Sequence, residues 1–266
     1  MALCRGALLL VTVSVVAMTT GTQAALPLPN FIKPCSRNDP NLSECALSSG
    51  RPIIDRFKDA SQGAAWGLPK YRIPKLEPLQ ISEIKVNQEK GANSGVGIDL
   101  VAKDIFAHGL SNAEMRNISV QLNPPHFWCS FFIPRIELES KYTIDGKILI
   151  LPIKGEGDAN ITLVNMDLFY DFGGEWEKRD DGKEYLKVKD YKIQFKSGRT
   201  YIKLTNLFNG DAELGKRMNE FLDVNWKEVT EEMGPPIADA LGEVIKTIME
   251  GFTDQVPYEY IFPEKV

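Results

Sequence analysis

His108 and His126 are the whole imidazole inventory of this 266-residue sequence, and neither is spaced as a metal ligand from the other or from a cysteine pair. Each reads as a structural hydrogen bonder. Gly91-Ala92-Asn93-Ser94-Gly95 resembles a nucleophile elbow, but its serine is one position away from the G-x-S-x-G site. It lies between strand-like segments and reads as a turn. Gly155-Glu156-Gly157 is not followed by a helix, so it is not a dinucleotide fingerprint. The acid pairs Asp180-Asp181 and Glu231-Glu232 read as solvated charge. No acid, base, nucleophile and orienting group converge. The sequence therefore reads as a non-enzyme with no catalytic residue, no metal site and no cofactor.

The cysteines suggest a different environment. The segment 1–24 carries Arg5, an apolar run from Ala7 to Ala17 and small residues ending at Ala24. It reads as a secretory signal peptide, with 25–266 as a single domain. Cys4 leaves with that segment, and Cys35, Cys45 and Cys129 remain. In an oxidising compartment Cys35 and Cys45 are the expected disulfide, closing a short loop worth about 2–3 kcal/mol in the chain-entropy model. Cys129 is odd, inside the apolar run Phe127-Trp128-Cys129-Ser130-Phe131-Phe132, and reads as a small buried hydrophobe. Asn41, Asn117 and Asn160 each begin an N-x-S/T sequon, so a glycoprotein is expected. Losing Arg5 takes the net charge from −5 to −6. That acidity argues against a nucleic-acid partner, and no later apolar run is long enough for an integral membrane segment. A secreted, extracellular monomer is expected.

The remaining functional material is apolar, and two element types must position it. Asp211 to Phe252 repeats Leu214, Met218, Phe221, Leu222, Trp226, Val229, Met233, Ile237, Leu241, Val244, Ile245 and Ile248 at helical spacing. A continuous helix there would be roughly 60 Å long. Gly234-Pro235-Pro236 predicts a bend within it. A first helix is expected over Asn41 to Lys58. From Leu79 the period falls to two, most clearly in Arg135 to Asp145, where Ile136, Leu138, Tyr142 and Ile144 alternate with charged residues. That pattern predicts an antiparallel sheet with one wet face. Turns are expected at Asp145-Gly146, Gly155-Glu156-Gly157, Gly173-Gly174, Asp181-Gly182 and Ser197-Gly198. The order is helix, meandering strands, long helix, an α+β arrangement that excludes parallel βαβ units. The helix needs a partner of equal length, and a long curved sheet wrapped around it is the economical one. Its elongated apolar interior would suit a carrier of a water-insoluble molecule. Phe127, Trp128, Phe131, Phe132, Tyr142, Met166, Phe169, Met218, Phe221, Trp226, Met233 and Met249 are the candidate ligand-lining residues, being bulky or soft.

Several stretches together resemble a known family. They are Ile73-Pro74-Lys75-Leu76-Glu77-Pro78-Leu79, Pro134-Arg135-Ile136-Glu137-Leu138, and the run from Gly146 through Leu151-Pro152-Ile153-Lys154 to Gly157. Leu204-Thr205-Asn206-Leu207-Phe208-Asn209-Gly210, Asn219-Glu220-Phe221-Leu222, Asn225-Trp226 and Val256-Pro257-Tyr258 follow in order. With the Cys35/Cys45 pair, they resemble the takeout-like secreted proteins of insects, related to haemolymph juvenile hormone binding protein. The resemblance implies a TULIP-like fold: a long C-terminal helix wrapped by a highly curved antiparallel sheet, enclosing a hydrophobic tunnel. It implies a carrier of small lipophilic ligands, in a family tied to hormone transport, feeding, chemosensory tissue and circadian-regulated expression. Juvenile hormone binders proper carry a second disulfide; Cys129 has no partner for one, so a fatty-acid-like or other isoprenoid ligand is an equal expectation. A cell-surface receptor or partner protein is a second class of partner. The alternative reading is a lipid-binding interaction or host-defence protein at anionic surfaces, resting on Lys183, Lys187, Lys189, Lys192 and Lys196. An esterase reading lacks its nucleophile elbow.

Overall fold

The structure is a computed structural model describing residues 25–58, 68–88 and 97–266. The expected signal peptide and the turn at Gly91–Gly95 lie outside those residues. The first helix, α1 (Leu42–Lys58), precedes six strands: β1 (Leu79–Gln88), β2 (Ile98–His108), β3 (Glu114–Leu122), β4 (Pro125–Ile148), β5 (Leu151–Lys178) and β6 (Glu184–Leu204). Then come α2 (Ala212–Val224), α3 (Trp226–Thr253) and the short α4 (Tyr258–Ile261). All strand pairs are antiparallel, in the order β1-β2-β4-β5-β6. β4 is long enough to take β3 along its first half and β2 along its second.

The sheet is neither closed nor strongly curled; among the described residues β1 and β6 stay unpaired at its edges. The expected highly curved wall around a hydrophobic tunnel is therefore incorrect. Period-two alternation demands only that one face be covered. Here α1, α2 and α3 cover it, so burial needs no wrapping, and alternation carries no information about curvature. The single long helix is also two helices. α2 ends at Asn225, whose backbone N–H and side-chain amide both donate to the Phe221 carbonyl, at 3.0 and 2.8 Å. α3 then runs 28 residues, about 42 Å, through Pro235 and Pro236.

Three expected turns lie inside strands. Gly155 and Gly157 belong to β5, and their missing side chains make room: a Cβ at Gly155 would lie 2.7 Å from Tyr142 Oη, and one at Gly157 2.5 Å from the Thr205 carbonyl. Glycine in a strand marks close approach as readily as a turn. Gly173-Gly174 is a register shift within β5, and Ser197-Gly198 runs straight through β6. The hairpin expected at Asp145-Gly146 turns at Leu149-Ile150 instead, because Gly146 remains paired with Ile153. Asp181-Gly182 does turn, with Gly182 at φ 80°.

The core lies between the sheet's covered face and the helices. α3 offers two neighbouring stripes. Leu241, Val244 and Ile248 pack with Leu79, Ile81, Ile105 and Ala107 of β1 and β2. Ala238, Ile245 and Met249 pack with Tyr170, Phe172, Val188 and Ile193 of β5 and β6. A disulfide joins Cys35 to Cys45 with Cα atoms 5.9 Å apart, fixing the start of α1. Arg37 continues the tie to the other terminus: its Nε donates to the Phe262 carbonyl at 2.9 Å, and its guanidinium lies 4.6 Å from the Tyr258 ring centre.

Candidate functional site

The layer between α3 and the sheet is built by period-two strands meeting a helical stripe. On β5, Leu168, Tyr170 and Phe172 point the same way; on β4, Phe127, Cys129 and Phe131 do so beside them. Met249 closes this part from α3. A second part of the layer gathers Tyr142, Met218 and Met233 around Leu222, which is fully buried, with Phe221 packed against it. Met166 belongs to a third group, with Ile133, Ile136 and Leu163. These candidate residues thus line one side of the sheet but fall into separate clusters along it. Trp226 stands at the start of α3, half-buried, with Arg199 5.1 Å from its ring centre.

Trp128, Phe132 and Phe169 lie on the opposite face. They alternate with Phe127, Phe131, Leu168 and Tyr170 along the same strands, and a β-strand sends neighbours to opposite sides. Trp128 and Phe169 stack there at 6.1 Å, while Arg116 covers Phe132 at 4.2 Å. The run Phe127 to Phe132 is apolar on both faces, so composition alone could not separate them.

Polar atoms inside the layer are few. Tyr142 donates to the Thr205 carbonyl at 2.7 Å. Tyr170 is 4% exposed and stacks on Phe172 at 4.9 Å, yet its hydroxyl has no hydrogen-bond partner among the described residues. Burial pushes its pKa up, so it stays a neutral donor. An unpaired buried hydroxyl costs about 1–3 kcal/mol. Tyr170 was missed by the sequence reading, although its place between Leu168 and Phe172 on the buried period marked it as a polar tip in an apolar row. Cys129 is free and buried beside it, with its thiol pushed up to about 12 by burial and by the nearby Asp171 charge. Such a thiol is a poor nucleophile at neutral pH.

No group of three or more His, Cys, Asp or Glu among the described residues is arranged to hold a metal ion. A depression of about 640 Å³ opens to solvent between Asp104, Glu139, Lys141, Asp158, Asn160 and Lys203. Its rim is charged and ion-paired through Lys141 and Asp158, which does not suit an apolar guest.

The site is thus an antiparallel sheet holding a mostly apolar layer against C-terminal helices. The chain belongs to the haemolymph juvenile hormone binding protein family, whose model matches residues 8–263. The family is one of non-catalytic carriers of lipophilic ligands. The circadian clock-controlled protein daywake of Drosophila melanogaster is 26% identical over 242 residues, 89% of either chain. A putative beta-carotene-binding protein of Schistocerca gregaria is 23% identical over 200 residues, 75% of this chain and 78% of that one. The crystal structure of takeout 1 from Epiphyas postvittana superposes with a TM-score of 0.71 at 29% identity, covering 87% of this chain and 100% of that one. Family and fold are consistent with a secreted, extracellular protein, and no described helix is long and apolar enough to cross a membrane.

Proposed function

We propose that this protein is a secreted carrier that holds one small lipophilic molecule in the layer between α3 and the sheet, with the molecule's polar end at Tyr170. The observation that carries the reading is the unpartnered Tyr170 hydroxyl inside an otherwise apolar cluster. A guest with a carbonyl, ester, epoxide or hydroxyl group would accept or share that hydrogen bond while burying its chain against Phe127, Phe131 and Met249. Methionine side chains are flexible and polarisable, so Met166, Met218, Met233 and Met249 let the layer part around a guest. Fatty-acid-like chains combine a long apolar body with one polar end, and juvenile hormone, an extended isoprenoid, carries a polar group at each end, either of which could meet Tyr170. The relative named as a putative beta-carotene-binding protein supports an isoprenoid body for the guest but not its polar end, since beta-carotene is a hydrocarbon.

The alternative at anionic surfaces draws little support from the lysines of β6 and its preceding turn. Lys183 pairs with Glu259 at 2.8 Å, Lys187 with Glu177 at 3.3 Å and Lys189 with Glu175 at 2.9 Å. Lys192 and Lys196 stand opposite Asp171 and Asp167 across the β5–β6 register. Pairing of three of the five lysines weakens the field available to anionic headgroups.

The test is displacement of a fluorescent fatty acid from the purified protein by juvenile hormone, free fatty acids and a retinoid. Saturable, one-to-one displacement by at least one of them is expected. Failure of the probe to bind in a protein stripped of lipid would overturn the reading.

A further inference from the structure

We propose that an N-linked glycan on Asn117 covers an apolar patch on the outer face of the sheet. Trp128, Phe132 and Phe169 form that patch, half-buried and facing away from the helices. Polar contacts bound it: the ion pair of Arg116 with Asp167 at 3.0 Å on one side and His126 Nε2 beside Asp171 Oδ1 at 2.8 Å on the other. Arg116 covers part of Phe132, and what remains of the three rings among the described residues is open to solvent, an apolar surface of the kind that often has an occupant.

The sequon lies within the patch. Asn117 and Ser119 of β3 are both exposed and point to this face, opposite Ser130 and Trp128 of β4. Ser130 lies in turn opposite Phe169 of β5. Asn117, Ser130 and Phe169 thus form a row across three strands, with roughly 4.8 Å between neighbours. A sugar on the Asn117 amide begins within reach of the stacked Trp128 and Phe169 rings, and the flat apolar face of a pyranose suits an aromatic surface. The Asn117 Nδ2 donates to Ser130 Oγ at 3.3 Å. That bond uses one of the two amide hydrogens and leaves the other for replacement by sugar.

The inference rests on passage through the secretory route, and is independent of which lipid the protein carries. The co-reactant is a lipid-diphosphate-linked oligosaccharide. The bond from Asn117 Nδ2 to C1 of the first sugar forms, and the C1–O bond to the diphosphate breaks. The lipid diphosphate leaves with the electron pair, and the amide loses one proton. Transfer onto the chain before it folds avoids any obstruction by the paired β3.

The experiment is peptide mapping by mass spectrometry of the protein secreted from insect cells, followed by a double-mutant cycle. Asn117 is expected to be glycosylated in most molecules. Enzymatic release of the glycan from the folded protein should lower Tm by roughly 2–4 °C, the shift one modest interaction gives in a chain of this size. In Trp128→Ser the same release should change Tm much less. Asn117→Gln also disturbs the bond to Ser130, so Ser119→Ala serves as the second way to remove the sequon. An unmodified Asn117 overturns the proposal, whether the patch then proves bare or buried in a dimer on size-exclusion chromatography. So does a glycan whose release shifts Tm equally with and without Trp128.

Discussion

Gly242 of α3 rests directly on the ring of Tyr191 in β6: a Cβ on Gly242 would lie 2.2 Å from Tyr191 Cε2. The ring cannot swing aside freely, because its hydroxyl donates to Glu243 Oε1 at 2.7 Å. This contact sets how closely the helix approaches the sheet, and so how thick the apolar layer is.

Gly242→Ala should therefore destabilise the protein by about 1–3 kcal/mol despite alanine's better helix propensity, as overpacking does in other cores. Gly234, whose Cβ would meet Phe195 at an ordinary 3.4 Å, is the control. Gly234→Ala should cost less than Gly242→Ala, since its only penalty beyond the ordinary Phe195 contact is the strain of a side chain before Pro235. Urea unfolding of both variants checks the contrast.

Tyr170→Phe should act with opposite signs on folding and on binding. Removing an unpaired buried hydroxyl should leave the ligand-free protein as stable or raise its stability by about 1–3 kcal/mol. Affinity for a ligand with a polar end should fall roughly 3- to 10-fold, the equivalent of about 1 kcal/mol for a lost hydrogen bond. A pure hydrocarbon probe should bind the variant no more weakly than the wild type. Thermal melts and titrations with matched ligands measure each arm.

Cys129 should resist alkylation in the native protein at pH 8, because its thiol is buried and pushed up to about 12. Unfolding in guanidinium should expose it to stoichiometric labelling. The ratio of labelling rates, read by intact mass, reports the opening of the β4–β5 core. Rapid native labelling would mean that this part of the layer is open to water.

Acid should loosen the β5–β6 end. Asp181 is held below its ordinary value chiefly by the hydrogen bond from the Tyr185 hydroxyl and next by the Lys183 backbone N–H. Glu177 is lowered chiefly by its hydrogen bond from Lys187. A carboxylate with a depressed folded pKa contributes stability that is complete above its unfolded value. That contribution is lost as pH falls through the folded value. The wild type should thus lose stability from about pH 4 downward. Asp181→Ala should show a shallower acid limb and an unchanged profile near neutrality. Melting temperatures across pH 2–7 test this.

The sheet was legible because charged and apolar residues alternate cleanly from Arg135 to Asp145, leaving one assignment of faces. The helical stripe was legible for the same reason. Curvature was not, since Ile136, Leu138 and Tyr142 need cover but do not say whether helix or sheet provides it. The break at Asn225 carried no Gly or Pro signal, whereas Pro235 and Pro236 carried a strong one that α3 absorbs. Gly155 and Gly157 look like turn residues in sequence; their reason, the approach of Tyr142 and Thr205, is tertiary. Within the candidate site, Phe127 and Trp128 are equally apolar neighbours, and only the β4–β5 register assigns them to opposite faces. Tyr170 stood out only once its hydroxyl had a surrounding to be unpaired in.

Native mass spectrometry of the secreted, deglycosylated protein, followed by solvent extraction, tests the central claim most directly. One lipophilic molecule per chain, lost on extraction and carrying at least one polar end, is the predicted result. A chain that runs empty and takes up neither juvenile hormone nor a fatty acid when these are supplied would contradict it, and would leave the layer beneath α3 as core alone.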